Sequence, residues 1–275
     1  DYYKKDELVA TITTDALGYA RSEDLPLGKY YVKEKETADG YVLDGEIREV
    51  DLTYRDQNTP VVTYDEDWQN NRQKAKVTVV KKEKNIDRVL EGGVFALYTK
   101  NDILNAEGEV ILKADTMIEQ KATDQDGRIV FTADLPINGN YYVKEVESPE
   151  GYVMDDTVYD VDFTYKDPLT AVLEKEITVE ETPIIVEVSK TDITTGKELK
   201  GATLEVIDSD GEVYASWVTD GKPHQLEAIP AGDYTLKETA SPYGYLIANE
   251  VEFTVEETGE IQKVAMSDER VKYHG

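Results

Sequence analysis

The chain has 275 residues and carries 58 Asp and Glu against 30 Lys and Arg, which gives a formal charge of −28 at pH 7. A polyanion is repelled by phosphates, which argues against nucleic acid and anionic membranes as partners. There is no cysteine, so disulfides and thiolate chemistry are excluded, and no apolar run approaches the roughly 20 residues of a membrane span. The length suits about two or three domains.

Short, alternating runs rich in β-branched residues recur along the chain and are separated by turn signals. In chain order, examples are Val77–Val80, Gly93–Tyr98, Val186–Val188 and Ala202–Val206. Asp-Gly pairs at 126–127 and 210–211 are typical of hairpin turns. No long stretch has helical periodicity. The pattern predicts an all-β protein made of antiparallel β-sandwiches.

A motif repeats three times, beginning at Tyr30, Tyr141 and Tyr234. In each copy a Glu follows the first Tyr by four residues, and Gly-Tyr follows at ten and eleven. The spacing of roughly 100 residues between copies is that of whole domains. With boundaries placed where polar residues or Pro precede a new strand, the sequence predicts a first module (1–73), a second module (74–182) and a third module (183–275).

The first module differs from the other two upstream of its motif. Lys81 precedes Gly92 by eleven residues and Lys190 precedes Gly201 by eleven, whereas the first module has no counterpart of this Lys strand. We therefore expect the first module to be partial, lacking its first strands. Because an open sheet edge exposes unpaired backbone groups, we expect either a donor strand from another chain that places a Lys near Asn70, or weak order in residues 1–72.

Strand parity directs charged side chains toward the predicted cores. Side chains two residues apart share one face of a strand, so Val188 places Lys190 on the apolar face. Leu236 and Met266 do the same for Glu238 and Asp268. The same parity assigns Lys81, Glu145 and Glu181 to the core of the second module and Glu34 and Asn70 to that of the first.

Such a trio offers a chemical interpretation. Burial lowers the pKa of a Lys and raises that of a carboxyl, which produces a neutral amine beside protonated acids. The amine can attack an Asp or Asn side-chain carbonyl while Glu shuttles protons, forming an amide with loss of water or ammonia. The competing interpretation is a non-covalent cluster of charged groups, although burying such a cluster is costly.

The segment Tyr234–Tyr245, with Lys190 upstream and Asp268 downstream, resembles the CnaB (SpaA-type, prealbumin-like) repeats of Gram-positive surface adhesins and pilins. The resemblance implies tandem Ig-like sandwiches with spontaneous Lys–Asn/Asp isopeptide bonds. By position, it implies the following roles: reactive Lys190 and Lys81; catalytic Glu238, Glu145 and Glu34; acceptors Asp268 and Asn70; and Glu181 where the family has Asn.

These observations favour a structural role over an enzyme acting on an external substrate. We expect the stalk of a cell-wall-anchored, extracellular adhesin or pilus protein, whose only chemistry is single-turnover bond formation. Alternatives are an adhesin region that contacts host extracellular matrix through the insertion 101–120, and a pilin subunit that associates with other pilus modules. No cofactor or metal is expected, because the Asp-x-Asp-Gly sequences at 124–127 and 208–211 lack the Glu that a calcium loop needs.

Overall fold

The computed structural model describes residues 2–105, 107–137, 139–164, 167–272 and 274. These residues form strands and turns, which confirms the predicted all-β sandwich class. Two compact units are present, Asp1–Gln73 with Tyr165–Ala171, and Lys74–Thr164 with Val172–Gly275.

Among the residues that the structure describes, none forms a helix with the length and apolar character of a membrane span.

The first compact unit contains a two-stranded antiparallel sheet of β1 (Gly28–Lys33) and β2 (Ile47–Leu52). Tyr30 lies opposite Val50, whose side chain is buried. The side chain of Gln73 is also buried, and its amide donates to the backbone carbonyls of Asp167 and Thr170 at 2.7 and 2.9 Å. Residues 167–170, which the sequence analysis assigned to the second module, therefore pack with the first unit.

The second module contains two four-stranded sheets. Its strands are β3 (Lys74–Glu83), β4 (Val94–Thr99), β5 (Ile103–Leu104), β6 (Val110–Leu112), β7 (Met117–Ala122), β8 (Arg128–Val130), β9 (Asn140–Glu147), β10 (Tyr152–Val153), β11 (Tyr159–Asp162) and β12 (Val172–Pro183). The sheet orders are β10-β12-β3-β8 and β11-β9-β4-β7, and alternate residues of facing strands fill the core between them. The insertion at 101–120 contains the β5–β6 hairpin, on which Leu104 and Val110–Leu112 are exposed.

The third module has a three-stranded sheet facing a four-stranded sheet. Its strands are β13 (Ile185–Asp192), β14 (Lys200–Asp208), β15 (Val213–Asp220), β16 (His224–Glu227), β17 (Gly232–Ala240), β18 (Val251–Val255) and β19 (Gln262–Asp268). The sheet orders are β16-β13-β19 and β15-β14-β17-β18. Buried Val186, Leu204 and Leu236 belong to the core between the sheets.

One strand pair in each sandwich departs from the predicted antiparallel arrangement. β12 pairs with β3, and β19 pairs with β13, in parallel. Parallel neighbours cannot be joined by a tight hairpin and need a long crossover connection. Here the crossover is most of the module itself, so its first and last strands become neighbours in one sheet.

A single residue between strands connects the second and third modules. Ile184, between β12 and β13, is buried; its N–H donates to the Gly151 carbonyl at 2.8 Å and its own carbonyl accepts from Ile229 at 3.3 Å. Gly151 has φ +85°, and a Cβ there would lie 2.1 Å from the carbonyl oxygen of Ala228. This junction therefore requires glycine for both conformation and space.

The Pro-containing turn before each repeat is held by the motif's first tyrosine. The hydroxyl groups of Tyr30, Tyr141 and Tyr234 donate to the carbonyls of Pro26, Pro136 and Pro230 at 2.6, 2.8 and 2.8 Å. Burial raises the pKa of Tyr141 to about 12, which keeps this donor protonated. The three copies of the motif thus build the same turn.

Candidate functional site

Three charged residues predicted from strand parity meet in the core of the third module. Lys190, Glu238 and Asp268 have side chains that are at most 1% exposed. The Lys190 ammonium contacts Asp268 Oδ1 and lies 3.2 Å from Glu238 Oε1. One amine and two carboxyl groups therefore share a site from which the surrounding chain excludes solvent.

The two sheets supply different members of this trio. Lys190 and Asp268 come from the parallel neighbours β13 and β19, in which Lys190 pairs with Met266. Glu238 comes from β17 in the facing sheet, opposite Leu204. The backbone N–H of Ala248 donates to Glu238 Oε2 at 2.7 Å. This bond fixes Oε2, and Oε1 faces the Lys190 ammonium.

The environment favours the neutral acid at Glu238. Burial raises the pKa of Glu238, and the charge of Asp268 adds to this effect, while the Ala248 N–H and Lys190 oppose it. Within the described part of the chain, Glu238 Oε1 and Asp268 Oδ2 accept no hydrogen bond. A protonated Glu beside an amine and a second carboxyl can move a proton between them.

The second module repeats this architecture with a longer acceptor side chain. The Lys81 ammonium contacts Glu145 Oε1 and lies 2.6 Å from Glu181 Oε1, and all three side chains are 0% exposed. Glu145 Oε2 accepts from the Asp155 N–H at 2.8 Å, as Glu238 does from Ala248. The ring of Phe95 lies 4.9 Å from the Lys81 ammonium.

Two carboxyls compete for one amine in this cluster. Burial, the largest cause, and the charge of Glu145 together raise the pKa of Glu181 to about 7 against the opposing effect of Lys81. Such groups titrate as a coupled set that shares protons.

The pKa of Glu181 predicts how the stability of the second module changes with pH. The folded state keeps this proton up to about pH 7, whereas the unfolded chain releases it near the ordinary value of 4.5. Because the folded state then binds more protons, stability falls as the pH rises from about 4.5 to about 7. Amide hydrogen exchange of second-module residues should show this fall, and Glu181→Gln should remove most of it. The exposed neighbour variant Glu180→Gln should retain it, and equal slopes for Glu181→Gln and the native chain would contradict the assignment.

The first unit brings together the Glu and Asn predicted there. Asn70 donates to Glu34 Oε2 at 2.7 Å and to the Val42 carbonyl at 3.1 Å. Glu34 Oε2 also accepts from the Asp44 N–H at 2.6 Å. A backbone N–H ten residues after the Glu therefore donates to its carboxylate in all three modules.

A cavity of about 300 Å³ adjoins Asn70 and is lined by residues 42–46 and Arg48. No lysine ammonium forms an ion pair with Glu34 in the described residues.

The two Asp-x-Asp-Gly sequences form hairpin turns. Asp124 Oδ1 accepts from the backbone N–H groups of Asp126 and Arg128, and Asp208 Oδ1 accepts equivalently from Asp210 and Glu212. Over the ranges that the structure covers, His, Asp and Glu do not cluster in a way that could hold a metal ion.

Sequence reasoning missed one buried carboxylate in each of the two complete sites. Asp192 and Glu83 stand two residues after Lys190 and Lys81, and both are buried. The parity rule that found the lysines applies equally to these positions, since side chains two apart share a face. Each lies directly across the parallel strand pair from the acceptor residue, Asp268 or Glu181.

Comparison with known proteins supports the fold over most of the chain. A family model, the SpaA prealbumin-like fold domain, matches residues 2–68, 75–177 and 185–270. No curated protein sequence matches the chain.

Among solved structures, the Bacillus anthracis TIE protein is similar with a TM-score of 0.56 and 24% identity, covering 94% of this chain. This chain spans 45% of that structure's length, and the likeness shows the fold alone. The shaft pilin SpaA from Lactobacillus rhamnosus GG has 14% identity and a TM-score of 0.36, covering 74% of this chain and 100% of its own. GBS52, the minor pilin of Streptococcus agalactiae, has 19% identity and a TM-score of 0.31, covering 73% of this chain and 98% of its own.

Proposed function

This chain belongs to the family of SpaA prealbumin-like fold domains, and from that premise we propose that it is a structural stalk segment strengthened by an autocatalytic intramolecular amide. The observation that carries the proposal is the enclosed contact of the Lys190 ammonium with Asp268, beside Glu238. A buried ion pair often fails to recover its desolvation cost, so salt-bridge stability alone explains this trio poorly.

The proposed reaction balances within the trio. The neutral amine of Lys190 attacks Cγ of protonated Asp268, and a C–N bond forms. Protonated Glu238 donates its proton to the departing oxygen and takes one from the nitrogen, so a C–O bond breaks and one water leaves. Glu238 ends in its starting state, and the amide ties β13 to β19.

The other two modules carry variations of the same site. In the second, we assign Lys81, Glu145 and Glu181 to a proton-sharing cluster, because two carboxyls contact one amine and the pKa of Glu181 is raised to about 7. In the first, Glu34 is the proton shuttle and Asn70 is the acceptor. A donor strand that carries a Lys would supply the amine.

The proposed setting is the surface of a Gram-positive cell, in a cell-wall-anchored adhesin or pilus protein whose other modules are the partners. The family supports this setting. A formal charge of −28 favours a hydrated surface with little non-specific association. A chain without cysteine needs reinforcement other than disulfides.

The mass of the intact chain under denaturing conditions tests the proposal. We expect a deficit of one water and a cross-linked peptide containing Lys190 and Asp268. The deficit should vanish in Asp268→Ala and persist in Lys263→Ala, which removes an exposed amine from the same strand. A native chain of full mass, with Lys190 in an unmodified peptide, would overturn the proposed function.

A further inference from the structure

The Gly-Tyr motif, which the proposed reaction does not use, packs against the strand end that follows the acceptor in every module. Gly40, Gly151 and Gly244 have φ of +88°, +85° and +86°. Their carbonyls accept from the N–H of the residue three positions after the acceptor: Gln73, Ile184 and Val271, at 2.8, 2.8 and 2.9 Å. The following tyrosine then pairs with the residue two positions after the acceptor: Tyr41 with Arg72, Tyr152 with Pro183, and Tyr245 with Arg270.

In the two complete sites the tyrosine hydroxyl reaches across to the first strand. Tyr245 donates to Asp192 Oδ2 at 2.8 Å, and Tyr152 donates to Glu83 Oε2 at 2.8 Å. These are the buried carboxylates two residues after the reactive lysine and directly opposite the acceptor. A buried carboxylate is costly unless hydrogen-bonded, so each tyrosine satisfies a specific need.

The third module adds a charged link from the last strand. Arg270, two residues after Asp268, donates through Nε to Asp192 Oδ2 at 2.8 Å. The N–H groups of Thr194 and Thr195 donate to Asp192 Oδ1 at 2.8 and 2.9 Å. The bond from Arg270 holds the pKa of Asp192 well below its usual range, so the carboxylate stays charged.

The second module lacks this link. Its carboxylate, Glu83, meets Arg88 at 3.1 Å, and Arg88 lies in the connection after β3. Pro183 occupies the position that corresponds to Arg270. In the second module, Arg88 therefore links β3 only to the connection that follows it. In the third module, Arg270 links β13 to the residues just after β19.

We propose that Asp192, Tyr245 and Arg270 are positioning residues that fix the register of β13 against β19 and so hold the Lys190 amine at Asp268. This inference rests on the proposed function. Register decides which side chains meet across two strands, and a misplacement of about 1 Å at a reacting centre can cost about 100-fold in rate. The three residues act through the strands and touch neither reacting atom.

The test follows the rate of linkage in the full chain. Cell-free synthesis is stopped at intervals in acidic denaturant, and the ratio of linked to free Lys190 peptide is measured. We expect Asp192→Asn to slow linkage by about 10- to 100-fold, Tyr245→Phe to slow it less, and Arg270→Lys to recover part of the rate lost in Arg270→Gln. The matched control is Glu269→Gln, which removes an exposed carboxylate between Asp268 and Arg270 and should leave the rate unchanged.

A folding readout separates positioning from general stability. In a Glu238→Gln background, where no bond should form, hydrogen exchange compares the folded state with and without Asp192→Asn or Tyr245→Phe. Equal protection together with slower linkage supports positioning. A native rate of linkage in Asp192→Asn, or loss of the folded state in both variants, would overturn it. An unlinked native chain would instead refute the proposed function itself.

Discussion

Replacing Glu238 by Gln is expected to leave Lys190 and Asp268 unlinked and to lower the unfolding free energy of the third module by about 4.5 kcal/mol. The estimate follows from loop closure, since cross-links closing 15 and 100 residues contribute about 3 and 4.7 kcal/mol, and the separation here is 78 residues. Gln keeps the shape of Glu and preserves the Lys190 contact with Asp268, so the change isolates the covalent tie.

Calorimetry or circular dichroism measures this effect as a fall in melting temperature of about 20 °C for a domain of this size. Glu250→Gln is the control, because it removes an exposed carboxylate from the same module, near β18. The mass deficit of one water should disappear in Glu238→Gln and remain in Glu250→Gln. Melting of Glu238→Gln at the native temperature would show that no covalent tie supports the module.

Replacing Glu181 by Asn is expected to create a second amide, to Lys81, with loss of one ammonia. Asn is one methylene shorter than Glu and places its carbonyl nearer the position that Asp268 occupies in the third module. The change also removes one of two competing carboxyls, which leaves Glu145 as the single proton shuttle. The new bond would close a separation of 100 residues and add about 4.7 kcal/mol of stability.

Intact mass and a peptide linking Lys81 to position 181 would show the new bond. Adding Glu145→Gln to Glu181→Asn should prevent it, because neither carboxyl that contacts the Lys81 ammonium then remains to transfer protons. The single variant Glu180→Asn, on the opposite face of β12, should leave the mass deficit of the native chain unchanged apart from the substitution itself. A Glu181→Asn chain without a further deficit would show that Lys81 is not a nucleophile.

Strand parity was sufficient to predict the membership of the trio, but not its complete geometry. Because alternation has a period of two, neighbouring Val188, Leu236 and Met266 fixed which way Lys190, Glu238 and Asp268 point. The parallel pairing of β13 with β19 could not be predicted in this way, since no hairpin links the two strands. The hairpin turns at 126–127 and 210–211 could be predicted because Gly adopts a positive φ without steric cost.

The positioning residues show a second limit of prediction from the sequence. Asp192 shares the parity of Lys190, but parity assigns no partner to a carboxylate. Its partners lie at Arg270, beyond the last strand, and at Tyr245, in an isolated β-bridge that has no periodicity. Only the three-dimensional pairing of these separate segments reveals what the repeated Gly-Tyr does.

The parallel pairing of first and last strands determines how the third module would carry tension. The start of β13 and the end of β19 lie at opposite ends of the sheet, so pulling between them loads the strand pair in shear. Shear strains many ladder hydrogen bonds together instead of opening them one by one. With an amide between Lys190 and Asp268, force passes directly from one strand to the other. The intervening chain, which would otherwise extend by about 250 Å, then stays out of the load path.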